Sequence, residues 1–136
     1  MKPVGISDEL LIDSLELGCA VDTRVVALGG SLLSGDSEEV HGWLEGLALI
    51  LERRASEGST TAIVVGGGAA ARRGIEAASS LTNDRDALDR IGIAATRLNA
   101  SMVREGLSGI GAHMSEIAPL SVEEALASVG DGVLVM

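Results

Sequence analysis

Two short apolar segments of this chain each end in a run of glycines, and this pattern constrains the fold more than any other feature. TRVVALGGS occupies residues 23–31, and TTAIVVGGGAAARRG occupies residues 60–74. Apolar, β-branched residues without polar alternation are typical of buried strands, and the glycines that follow indicate tight turns. A helical pattern comes after each turn, so the chain repeats a unit of strand, turn and helix.

The whole sequence is predicted to alternate four strands with helices. The strands are residues 24–28, residues 60–65, residues 110–114 and the segment DGVLVM. The helices are residues 36–57, residues 69–81, a long segment from near Asp84 or Asp86, and the segment VEEALASVG. Capping boxes at Asp36 with Glu39 and at Ser121 with Glu124 support two of these helices. Buried strands joined through helices form parallel sheets, so we expect an α/β fold with a parallel sheet sandwiched by helices.

Residues 1–23 are expected to form a separate N-terminal extension, and residues 24–136 to form the domain. The segment SDELLIDSLELG predicts a short helix that begins at Ser7 and stops at Gly18. The N-terminus carries acids where a secretion signal would be apolar, and the single cysteine, Cys19, cannot form an internal disulfide. These features favour a cytoplasmic location.

The charge of the chain limits its partners. The net charge is −10, which repels nucleic-acid backbones and anionic membranes. No apolar run approaches the roughly 20 residues that a membrane-spanning helix needs. We therefore expect neither nucleic acid nor a membrane as a partner.

Both glycine turns are expected at the carboxyl ends of parallel strands, where open α/β sheets bind ligands. Glycines let the backbone approach a phosphate closely, and a helix N-terminus offers unpaired N–H groups and partial positive charge. Arg72 and Arg73 follow the second turn, where the helix dipole disfavours cations. A bound polyanion would explain why two arginines follow this turn. The alternative is that the glycines only reverse the chain and the arginines extend into solvent.

Other common sites are less well supported. Gly66, Gly68 and Ala71 fit the loose dinucleotide-binding pattern, but that pattern normally follows the first strand of a domain, not the second. The acids that could bind a ribose there lie at or inside a helix instead of ending a strand; they are Asp84, Asp86 and Asp89. No lysine follows the glycines as in a Walker motif, and His41 and His113 are isolated, so no metal site is predicted.

Three motifs in order resemble the N-terminal half of the amino acid kinase superfamily, nearest to its archaeal-type uridylate (UMP) kinases. They are VVALGGSLL, AIVVGGGAAAR and LDRIGIAATRLNA, and the third is the most specific. The resemblance covers about residues 24–136. It implies phosphoryl transfer from ATP to UMP with Mg²⁺, in pyrimidine nucleotide biosynthesis, by a protein that assembles as a hexamer.

The resemblance also implies roles for individual residues. Those expected to bind the ATP phosphates are Gly29, Gly30, Ser31, Gly68 and Arg72. Those expected on the UMP side are Gly67 and Asp89, with Thr96 and Asn99 near the acceptor pocket. No catalytic side chain is assigned. Ala27 stands where many superfamily members have a lysine that stabilises the transferring phosphoryl group.

The resemblance extends over half of such a kinase. The family continues from VLVM into a glycine-rich loop and a second half that binds the ATP base. We therefore expect this single chain to be incomplete as an enzyme. It would work as a homo-oligomer or with a complementary C-terminal chain, because its last strand leaves a sheet edge without a neighbour. The alternative is a non-catalytic nucleotide-binding or scaffold protein derived from the same fold.

Overall fold

The computed structural model describes residues 22–136. The short helix predicted in the N-terminal extension lies outside the described residues. The described elements are strand β1 (Thr23–Leu28), a 3₁₀ turn (Gly30–Ser34), helix α1 (Ser37–Ser56), strand β2 (Thr60–Val65), helix α2 (Gly68–Ser79), helix α3 (Arg85–Ile110), helix α4 (Val122–Ala127) and strand β3 (Leu134–Val135). None of these helices combines the length and the apolar character needed to cross a membrane.

The three strands form one parallel sheet in the order β1-β2-β3. Thr23 pairs with Thr60, and Ile63 pairs with Val135. Both connections between paired strands run through helices, as parallel pairing requires. The predicted α/β fold with a parallel sheet is confirmed.

The predicted strand over residues 110–114 is wrong. Helix α3 continues to Ile110, and Gly111 ends it in a left-handed conformation with φ 101°. Only Met114 makes a parallel bridge, to Val133. The apolar stripe of α3 continues to its last turn, and Ile110 packs against the core, so this residue belongs to the helix and not to a strand.

One face of the sheet forms the core. Ile63, Val65 and Val135 lie on this face, against the buried side chains of α1 and α3. The helix residues are Leu44, Ala48 and Leu51 from α1, and Ala100, Val103 and Leu107 from α3. The core is aliphatic, as the near absence of aromatic residues requires.

The prediction that the first strand is buried is wrong. Five of the six residues of β1 are exposed, and Val25 keeps 70% of its surface in solvent. Within the described part of the chain, β1 is an edge strand, and the core helices pack over β2 and β3, so Leu28 is the one buried residue of β1. The apolar composition of β1 therefore reflects β propensity and pairing with β2 more than burial.

Helix α2 packs mainly against α3 and the 3₁₀ turn. Gly67, just before α2, lies beside Thr96, whereas Gly74 lies beside the earlier residue Ile91, so α2 runs antiparallel to the first half of α3. The second half of α3 lies on the sheet through Val103 and Leu107. The hairpin of α2 and α3 therefore extends beyond the edge of the sheet at which the strands have their carboxyl ends.

Candidate functional site

The two glycine turns meet at the carboxyl edge of the sheet. Leu28 and Val65 are register partners at the ends of β1 and β2. Directly after them, the amide of Gly66 donates to the carbonyl of Leu28 at 2.8 Å. The turns are therefore neighbours in space, although more than thirty residues separate them in the sequence.

The contact between the turns explains why Gly30 is a glycine. A Cβ atom at this position would lie 2.6 Å from the carbonyl oxygen of Gly66 and 2.6 Å from the amide nitrogen of Gly68. No side chain fits such a gap. The glycine serves the close approach of two backbones, which builds one concave surface from both turns.

The N-terminus of α2 differs from those of the other α-helices among residues 22–136. Its N-cap is Gly67, which supplies no side-chain hydrogen bond, and its first turn has no acidic residue. Helices α1, α3 and α4 are capped by side chains and carry acids in their first turns; the caps are Asp36, Asp84 and Ser121. Helix α2 therefore presents amide groups without a side-chain acceptor, an arrangement that suits an anion.

The two arginines of α2 lie in different surroundings. Both are exposed. Arg73 lines a cavity of about 290 Å³ with Gly30 and Ser34 of the first turn and Asn99 of α3. Arg72 is one position earlier on the helix and does not line that cavity. The structure thus brings Arg73, which the resemblance leaves without a role, to the junction of the turns.

Thr96 and Asn99 of α3 both touch the second turn. The methyl group of Thr96 is 3.3 Å from the point where a Cβ of Gly67 would lie. Its hydroxyl donates to the carbonyl of Ile93 at 2.7 Å. Asn99 is buried, and its amide nitrogen donates to the carbonyls of Gly66 at 2.8 Å and Gly67 at 3.0 Å.

Asp89 lies on the same stripe of α3 as Thr96. Seven residues separate them, close to two full helical turns, which corresponds to about 10 Å along the axis. The stripe continues through Ala100, Val103 and Leu107, whose side chains face the sheet. The exposed Asp89 is therefore on the helix face that projects over the carboxyl edge, about two helical turns before Thr96.

The first turn is held by a side chain that the sequence does not mark as functional. The indole nitrogen of Trp43 in α1 donates to the carbonyl of Leu32 at 3.0 Å. Gly29, just before this 3₁₀ turn, and Ser31, within it, are both exposed. The apolar pattern of α1 accounts for the ring of Trp43 but gives no signal for the hydrogen bond of its N–H group.

The described residues suit a phosphate better than a metal ion. The turns offer backbone N–H donors, and the nearest charged side chains of α2 are arginines. Residues 22–136 contain no group of three or more His, Cys, Asp or Glu side chains that could hold a metal. The Mg²⁺ that the resemblance implies therefore has no fitting set of side-chain ligands in this part of the chain.

The uridylate kinase of Archaeoglobus fulgidus is a similar solved structure. It is 31% identical to this chain with a TM-score of 0.66, over 82% of this chain and 48% of the kinase chain. This chain thus spans about half the length of that kinase. A search of curated proteins finds no match. The sequence model of the amino acid kinase family matches residues 22–132, so the chain belongs to the amino acid kinase family.

Proposed function

We propose that this chain binds the phosphates of ATP and UMP at its two glycine turns and forms part of a site for phosphoryl transfer between them. One observation carries the proposal: the two turns are in backbone contact beside an α2 N-terminus that has no side-chain cap. Transfer of a phosphoryl group needs donor and acceptor phosphates held together and their charge neutralised. Two adjoining N–H surfaces followed by Arg72 and Arg73 meet those needs.

The placement of α3 supports a nucleoside monophosphate as the acceptor. With its phosphate at Gly67, the acceptor would extend along the stripe of Thr96 and Asp89, over about 10 Å of helix. The carboxylate of Asp89 accepts hydrogen bonds, as ribose hydroxyls require. The similar structure is named as a uridylate kinase, which favours UMP among such acceptors.

Binding and turnover are tested separately. Calorimetric titration with UMP and with ATP should give saturable binding of both, and glutamate, which lacks a phosphate, should not compete with UMP. A coupled assay for ADP release in the presence of UMP, ATP and magnesium then tests transfer. Release of ADP that depends on UMP supports the kinase. Binding without release would leave the non-catalytic nucleotide-binding alternative for this chain, and no binding of either nucleotide would overturn the proposal.

A further inference from the structure

The buried side-chain amide of Asn99 donates its hydrogen bonds to the backbone of the second glycine turn. Asn99 is 4% exposed, and its Nδ2 atom donates to two successive carbonyls, those of Gly66 and Gly67. A side-chain NH₂ group has two hydrogens. Both are therefore used by the turn, and this group has none left to donate to a ligand.

We propose that Asn99 is a positioning residue for the phosphate site and does not bind the substrate itself. This inference rests on the proposed function. In a trans peptide, the carbonyl of one residue and the N–H of the next point in opposite directions. By holding the carbonyls of Gly66 and Gly67 toward α3, Asn99 turns the N–H groups of Gly67 and Gly68 away from α3.

The position of these peptides matters because the first turn packs against them, and the Cβ position of Gly30 lies as close to the carbonyl oxygen of Gly66 as to the amide nitrogen of Gly68. A Cβ atom on Gly30 would lie 2.6 Å from the amide nitrogen of Gly68. Asn99 therefore fixes the second turn through peptides that the first turn also contacts, among them the carbonyl of Gly66. Its own place is fixed by the neighbouring core residues Ala100 and Val103. A single side chain thus positions the backbone N–H groups assigned to the UMP phosphate and also those assigned to the ATP phosphates.

Because Asn99 would affect both phosphate sites, an experiment can distinguish a positioning role from direct contact with the substrate. If Asn99 bound the acceptor, its loss would weaken UMP binding and leave ATP binding unchanged. A positioning residue predicts that both phosphorylated ligands weaken together, by about tenfold for the loss of the buried hydrogen bonds. Binding of uridine, which has no phosphate, should change little.

The test compares Asn99→Ala and Asn99→Asp with the unaltered chain and with Ser101→Ala. Ser101 is exposed on the same helix, and its hydroxyl bonds only to the carbonyl of Arg97 within α3. Dissociation constants for ATP, UMP and uridine are measured well below each melting temperature. Asn99→Ala should weaken ATP and UMP alike, and Ser101→Ala should change neither.

Asn99→Asp adds a second measurement, the pH dependence of ATP affinity, which a purely structural role would not change. A carboxylate repels the two carbonyls, whereas a protonated carboxyl group regains one O–H donor. The affinity of this variant for ATP, relative to the unaltered chain, should therefore rise as the pH falls. Loss of UMP affinity alone, equal losses for UMP and uridine, or no loss in a folded variant would overturn the inference. If the unaltered chain binds neither nucleotide, the proposed function itself fails.

Discussion

A Cβ atom on Gly68 would lie 2.6 Å from the carbonyl carbon of Gly30, so the backbones of these two residues are in direct contact. Gly68 also has φ +51°, in the left-handed region that other residues rarely adopt. The two positions depend on each other, because a side chain on either one would push the two turns apart. The junction of the turns is thus a tightly packed part of the fold as well as a candidate ligand surface.

Substitution at this junction should cost stability. We expect Gly30→Ala and Gly68→Ala each to lower the free energy of unfolding by about 1–3 kcal/mol, because the added methyl group overlaps backbone atoms. Urea unfolding measures the change. Gly42→Ala is the matched control, since Gly42 lies inside α1 with nothing within 4 Å of its Cβ position. The free energy of unfolding of this control should rise by about 0.5–1 kcal/mol, as is usual when alanine replaces glycine inside a helix. A Gly30→Ala variant as stable as the unaltered chain would contradict the contact.

The arginines of α2 should affect binding far more than stability. Arg72→Ala and Arg73→Ala are each expected to weaken ATP or UMP by at least about tenfold, since hydrogen bonds to charged groups contribute about 1.5–3 kcal/mol. Both side chains are exposed, so the stability should change by less than about 0.5 kcal/mol. Titration calorimetry and thermal melts measure the two effects. Arg53→Ala, on the far end of α1, is the control and should leave binding unchanged. A large loss of stability at Arg72 would show a structural role instead.

Trp43 should stabilise the first turn through its N–H group. Trp43→Phe keeps an aromatic ring in the apolar face of α1 but removes the donor to the carbonyl of Leu32. We expect a loss of about 0.5–1.5 kcal/mol in the free energy of unfolding. ATP affinity should fall more than UMP affinity, because the first turn is assigned to ATP. Equal effects on the two ligands would argue that the hydrogen bond holds the domain as a whole.

The exposed edge strand should promote self-association. Among the strands of residues 22–136, β1 pairs only with β2, and five of its six residues are exposed. Such an edge is a template for pairing with another chain. Sedimentation velocity at micromolar concentration should show an oligomer, and Val25→Lys should shift it toward monomer. Leu49→Lys, an equally exposed change on α1, should not. A clean monomer for the unaltered chain would exclude this association.

Local sequence signals predicted most of the helices and the sheet type. The sequence pattern predicts a helix over residues 36–57, and α1 is Ser37–Ser56, with the side chain of Asp36 accepting from the amide of Glu39 as a capping box requires. Ser121 likewise accepts from Glu124. Caps and apolar spacing are properties of neighbouring residues, so a sequence can display them directly.

Features that depend on contacts between distant elements could not be predicted in the same way. The error at residues 110–114 arose because a short apolar run fits a strand and a helix end equally well, and the packing of Ile110 decides between them. The exposure of β1 follows from its place at the edge of the sheet. The positions of Asn99 and Arg73 depend on how α3 and α2 lie against the turns, whereas the resemblance named only residue types and their order.

The pairing of β2 with β3 has a consequence for the order of folding. Ala62 pairs with Leu134, and in the sequence α2, α3 and α4 all come between these two paired strands. The antiparallel hairpin of α2 and α3 consists of local contacts, which form quickly, whereas parallel pairing across such a span is slow because the long loop must close first. During refolding, helical circular dichroism should therefore recover before nucleotide binding does. In that interval β2 would expose an unpaired edge, and aggregation would compete with completion of the glycine turns.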